Sequence, residues 1–175
     1  PRTFFENAVR GTSGIGPGRK FDASPFAVRI GGELIFDEQE LGLPADRLAE
    51  MPAVAKWSVL AARKAIADAG VDLAHEDPYA IDVIAGISLP SLQSLEARFL
   101  ERDWAGMAAA TPQTVFVMNP AAAALQIGRD LGLHGEVVNI TTACSSSASA
   151  IGYAARLIRS GESSCVATGG AEESI

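Results

Sequence analysis

Aromatic residues are scarce in this 175-residue chain, at 6% of the total. A core with few large rings relies on small aliphatic side chains, which favour close packing of helices on a sheet. There are only two cysteines, Cys144 and Cys165. Their spacing fits neither a disulfide framework nor a metal site, which points to a reducing compartment. Lys and Arg total 14 against 21 Asp and Glu, a formal net charge of -7. The basic footprint of a nucleic-acid surface is therefore missing, as is a basic run for an anionic membrane. The longest apolar stretches, around Ala80 to Leu89 and Thr114 to Leu125, are too short or too interrupted to span a bilayer. No signal-peptide pattern precedes them, so a cytoplasmic location is the expectation.

What is present is a hydrophobic fraction of 48% and a charged fraction of 20%, enough for one globular domain with a substantial core. No internal repeat, low-complexity tract or linker divides residues 1–175. The chain opens at Pro1 on a helical pattern that ends at Gly11, an unusual start that suggests a segment of something longer. Gly11 to Gly18 (GTSGIGPG) reads as a turn-rich loop. It lacks the strand and helix that flank a dinucleotide-binding glycine motif. Ala27 to Ile35 reads as a strand or hairpin edge interrupted by glycines.

Beyond that point helices and strands alternate. Pro52 to Ala69 carries apolar residues at helical spacing, with Pro52 suited to a first turn and Gly70 to the position after the last. Tyr79 to Ser88 (YAIDVIAGIS) is apolar enough for a buried strand, and Ser91 to Arg102 has helical periodicity. Ala121 to Leu131 is a small-residue helix closed by Gly132. Glu136 to Thr142 reads as a strand, Ser145 to Ser160 as a helix ended by Gly161, and Ser164 to Thr168 as a strand running into Gly169 and Gly170. The strand-helix-strand unit predicts a right-handed parallel crossover in an α/β protein.

Cys144 falls where the strand EVVNITTA gives way to the helix SSSASAIGYAARLIRS. Free backbone N-H groups and the positive end of a helix dipole favour negative charge on a sulfur placed there. The same amides can stabilise an oxyanion when a thiolate attacks a carbonyl carbon. The small neighbours Ala143 and Ser145 to Ser147 leave room for a substrate. By position alone, a buried structural cysteine explains Cys144 equally well. Cys165, within a strand and away from any helix start, reads as inert core.

The run TTACSSSASAIGYAARLIRSGESSCVATGGAEESI, Thr141 to Ile175, resembles the active-site region of β-ketoacyl-acyl carrier protein synthases and polyketide ketosynthases. FFENAVRGTSGIGPGRKFDAS, AARKAIADAGVDL and LGLHGEVVN agree with that family in order along the chain. The resemblance implies a thiolase-like fold: layered αβα with a mixed central sheet, here the amino-terminal half of the duplicated fold without its first strand. It implies that Cys144 is the nucleophile, its backbone N-H one oxyanion donor, and the reaction a decarboxylative Claisen condensation. The implied partners are acyl carrier protein bearing phosphopantetheine thioesters, or coenzyme A thioesters, and a second copy or a homologue in a dimer. No cofactor and no metal are implied. The family's further catalytic groups, generally two histidines, lie in its carboxy-terminal half. His75 and His134 match neither, so the chain alone is expected not to condense substrates.

Three features depart from the family pattern. ISLPSLQSLE stands where a glycine-rich stretch is usual after the AIDVIAG-like strand, which bears on the acyl pocket or dimer contacts. Pro44 to Lys56 lacks the basic cluster used to dock acidic carrier proteins. The Cys-Ser-Ser-Ser run resembles polyketide ketosynthases, whereas AIGYAARLIRSGES and GGAEE resemble stand-alone synthases, which are favoured here over a module of a polyketide megasynthase. The other classes in contention are a priming acyltransferase and a non-catalytic scaffold.

Overall fold

The computed structural model describes residues 2–89, 92, 96, 116 and 118–173. The chain forms two compact units, one from Pro1 to Asp37 and one from Glu38 to Ser174.

In the first unit, α1 (Arg2–Val9) has no buried residue and exposes Phe4, Phe5 and Val9. It ends as the glycine predicts: Gly11 takes φ +68°, and the Thr12 N-H turns back to Asn7 O at 2.9 Å. The expected loop and hairpin edge meet as a short antiparallel ladder, β1 (Gly16–Pro17) with β2 (Ile30–Gly31). Pro17 has no N-H to donate, which limits the ladder. The intervening turn is held by the Glu33 carboxylate, which accepts from the N-H of Arg19 at 2.7 Å and of Lys20 at 3.0 Å. Asp22 likewise accepts from the Ser24 N-H and hydroxyl, both at 3.0 Å.

The second unit contains α2 (Ala45–Glu50), α3 (Ala53–Ala69), β3 (Ile81–Gly86), α4 (Ala122–Leu131), β4 (Val137–Ile140), α5 (Ser146–Ser160) and β5 (Cys165–Gly170). Helix α3 ends where the sequence places it, with Gly70 left-handed at φ +69°, and begins one residue later, since Pro52 is extended and serves as its cap and not as part of the first turn. Helix α2 was not expected; Pro44 ahead of ADRLAE was its signal. The helical reading of Ser91 to Arg102 lies outside the described residues except at Leu92 and Glu96, both helical.

The strands form one sheet in the order β4-β3-β5, with both pairings parallel. Parallel pairing with a crossover helix buries both faces, and β3, the central strand, is buried almost throughout. Ile84 points to one face, where it packs with Ala150, Ala154 and Leu157 of α5. Val83 points to the other face with its register partner Val137, whose side chain lies against Gly128 of α4. Helices therefore cover both faces, the layered αβα arrangement of the thiolase-like class.

Helices α3 and α4 pack closely through small residues, Ala55, Ala122, Ala123 and Ala124, each nearly inaccessible. They are tied by a bidentate ion pair in which Arg63 Nε and Nη2 reach the Asp130 carboxylate at 2.7 and 2.6 Å. Buried Glu173 accepts from the Val54 N-H at 3.1 Å, so the chain leaving β5 caps the start of α3. No helix among the described residues is long and apolar enough to cross a membrane.

Candidate active site

Strand β4 ends at Ile140 and α5 begins at Ser146. The five residues between them reverse the chain at the carboxyl end of the sheet, where open α/β proteins bind ligands. Cys144 stands in this turn and is exposed. The residue before it, Ala143, has φ +50° and is the one non-glycine residue with positive φ among those described. Left-handed backbone costs an L-residue about 1–2 kcal/mol, so the surrounding bonds must enforce it.

Those bonds come from the serine run. Ser146 Oγ accepts the Thr142 N-H at 2.9 Å and donates to Ala143 O at 2.7 Å. Ser145 Oγ donates to Thr142 O at 2.7 Å and lies 3.0 Å from Thr142 Oγ1. Thr142 Oγ1 also meets Ser149 Oγ at 2.9 Å, one turn into the helix. By size these serines are small neighbours that leave room; the structure makes two of them braces. Their hydroxyls are committed to the turn, and Ser145 makes no side-chain cap on α5. Cys144 itself forms an isolated parallel bridge with Thr142, and the next two N-H groups are used within the turn, Ser145 to Thr142 O at 3.2 Å and Ser146 to Ala143 O at 3.0 Å. An oxyanion formed beside the sulfur would face the positive end of the α5 dipole.

Beneath the turn, Gly86 and Gly170 end the neighbouring strands β3 and β5 and pair with each other. A Cβ at Gly86 would overlap the Ser146 carbonyl and fall 2.6 Å from Ser147 N. A Cβ at Gly170 would fall 2.5 Å from Ser147 Cβ. The helix start is thus seated directly on glycine backbone. This role was missed in the sequence, although GGAEE and IAG both carry the signal of close approach.

The other candidates lie elsewhere. Cys165 opens β5 instead of lying within the strand, and it is half-buried. The strand runs on through Gly170 because its ladder to β3 continues there. Cys165 pairs with Ile81, at the end of the sheet away from Cys144; the strand length alone separates the two ends by roughly 17 Å. His134 precedes β4 and His75 precedes β3, so both belong to that far end. His75 is held at the surface by Asp72, Nδ1 to Oδ2 2.9 Å.

All 175 residues match the family described as "Beta-ketoacyl synthase, N-terminal domain". A 3-oxoacyl-[acyl-carrier-protein] synthase 2 of Staphylococcus aureus is 28% identical over 174 residues, covering 99% of this chain and 43% of that protein. The ishigamide ketosynthase/chain length factor superposes with a TM-score of 0.85 at 25% identity, covering 99% of this chain and 43% of its own. A type II polyketide ketosynthase, solved with its acyl-carrier protein, shares the fold with a TM-score of 0.71 at 22% identity, covering 79% of this chain and 40% of its own. The chain thus spans less than half the length of these relatives, and it belongs to the β-ketoacyl synthase amino-terminal domain family.

Proposed function

We propose that this chain supplies the nucleophilic half of a β-ketoacyl synthase, with Cys144 as the acyl acceptor. The observation that carries the reading is the exposed cysteine in a strand-to-helix turn whose preceding residue, Ala143, is held at φ +50°. Cys144 Sγ, as thiolate, attacks the carbonyl carbon of an acyl thioester. The oxyanion is met by the Cys144 N-H. The C-S bond to the donor breaks, the donor thiol leaves, and the acyl group remains on Cys144. In the second half-reaction a malonyl-type thioester loses carbon dioxide. Its carbanion attacks the acyl-enzyme carbonyl, a C-C bond forms, and the Cys144 thiolate is released with a β-ketoacyl thioester as product.

Condensation needs groups beyond those described. The chain's two histidines sit at the far end of the sheet, so the 175 residues alone are expected to accept an acyl group without extending it. Names among the relatives favour an acyl carrier protein as the thioester donor. Strand β4 lies at the edge of the described sheet, and its four residues are only half-buried. That edge suits pairing with a second copy or a homologous subunit.

The test is incubation of the full-length protein with a hexanoyl thioester, followed by mass spectrometry of the intact protein and its peptides. Acyl adduct on Cys144, absent from Cys144→Ala, is the expected result. Labelling no greater at Cys144 than at Cys165 would overturn the assignment. Carbon dioxide release from a malonyl thioester separates a condensing enzyme from a plain acyltransferase.

A further inference from the structure

The segment that leaves β3 is fastened from both sides. Thr141 Oγ1 donates to Ile87 O at 2.9 Å, and Asn139 Nδ2 donates to the same oxygen at 3.1 Å. From the β5 side, the Glu172 carboxylate accepts from the Ser88 N-H at 3.1 Å, the Leu89 N-H at 3.1 Å and, at short range, the Ser88 hydroxyl. Three donors on one carboxylate form a charge-assisted clamp, stronger than neutral bonds of the same geometry. The two halves of the clamp lie two residues beyond Gly86 and two beyond Gly170, the paired glycines that seat the helix start. Thr141, which holds the same exit segment, is three residues before Cys144. A continuous chain of bonds therefore runs from Glu172 through residues 87–89 to the turn that carries the sulfur.

We propose that Glu172 is a positioning residue for acyl transfer: by clamping Ser88 and Leu89 it keeps the Gly86–Gly170 seat closed and holds Cys144 at its working angle. The inference rests on Cys144 being the nucleophile. Without the clamp the exit of β3 keeps its bonds to Asn139 and Thr141 on the β4 side but loses those to the β5 side, and the Gly86–Gly170 seat opens there. Displacements of about 1 Å at a nucleophile cost up to 10²-fold in rate. Ser88 also gives the ISLPSL stretch, which departs from the family's glycine-rich pattern, a specific task.

Acylation of Cys144 by the hexanoyl thioester is measured in the full-length protein against thioester concentration, for the wild type, Glu172→Gln and Ser88→Ala. Labelling of Cys165 by iodoacetamide serves as the gauge of general loosening. Expected is a fall of on the order of tenfold in the limiting acylation rate for Glu172→Gln. The half-saturating concentration should change less than twofold. Ser88→Ala, which keeps both N-H bonds, should fall about two- to threefold. Cys165 labelling should stay at the wild-type rate. A Glu172→Gln rate within twofold of wild type would overturn the proposal, as would a rise in Cys165 labelling that matches the loss at Cys144. Absence of acylation at Cys144 in the wild type would instead sink the nucleophile reading, and this one with it.

Discussion

Replacing Gly86 with alanine tests whether the helix start really rests on the sheet. The added Cβ would overlap the Ser146 carbonyl and sit 2.6 Å from Ser147 N, whereas non-bonded heavy atoms are comfortable at about 3.5–4.0 Å. Relief requires the first turn of α5 to lift by about 1 Å, because the obstructing atoms are backbone and cannot swing aside. Overpacking of this kind costs about 1–3 kcal/mol, equivalent to a fall of roughly 3–10 °C in melting temperature at this size. The same lift moves Cys144, so acylation should drop by on the order of 10²-fold. Gly169 provides the control: it neighbours Gly170 in β5, and a Cβ there meets nothing within 4 Å. Circular-dichroism melting and intact-mass acylation of both variants give the comparison. If Gly86→Ala melts and acylates like the wild type, or if Gly169→Ala is equally damaging, the seat is not what positions the turn.

At Ala143, φ +50° penalises any Cβ, so Ala143→Gly should melt within about 1 kcal/mol of wild type as relieved strain offsets lost chain stiffness, while Ala143→Val should cost about 1–2 kcal/mol; thermal melts decide. Asp130→Ala strands the Arg63 guanidinium against a nearly buried partner site and should destabilise by about 2–4 kcal/mol, read as a shift of the urea midpoint. Glu173→Ala leaves the Val54 N-H without its carboxylate and should cost about 1–3 kcal/mol in the same assay. The Glu33 carboxyl is held below its ordinary value of 4.5 by the N-H groups of Arg19 and Lys20. Its contribution is therefore present above pH 4.5 and lost as the pH falls below that value through the folded one, so the protection factors of the Arg19 and Lys20 amides, exchange measured relative to the intrinsic rate at each pH, should fall on acidification and stay constant with pH in Glu33→Gln.

Much of the fold was legible because its signals are local. The bounds of α3 follow from Pro52 and Gly70, and those of α5 from the strand EVVNITTA and Gly161, which adopts φ +77°. Cys144 was legible for the same reason, since a strand-to-helix junction is a feature of neighbouring residues. What was not legible depends on contacts distant in sequence. Gly86 and Gly170 are separated by an entire crossover, and only their pairing reveals a shared seat. Glu172 and Glu173 carry no local signal of a role, and only the structure shows one on Ser88 and Leu89 and the other on Val54. Cys165, expected in the core, is half-buried because β5 begins with it at the sheet's end.

These distant contacts explain how an ordinary alanine can hold a left-handed conformation beside Cys144. The serine hydroxyls alone fix Thr142 to Ser146 relative to one another, but they do not orient the turn on the sheet. Orientation comes from below, where two glycines admit the helix start, and from the side, where Thr141 reaches the exit of β3. The strain at Ala143 is thus supported by groups drawn from β3, β4, β5 and α5 together, and its cost is spread over the core that holds these elements.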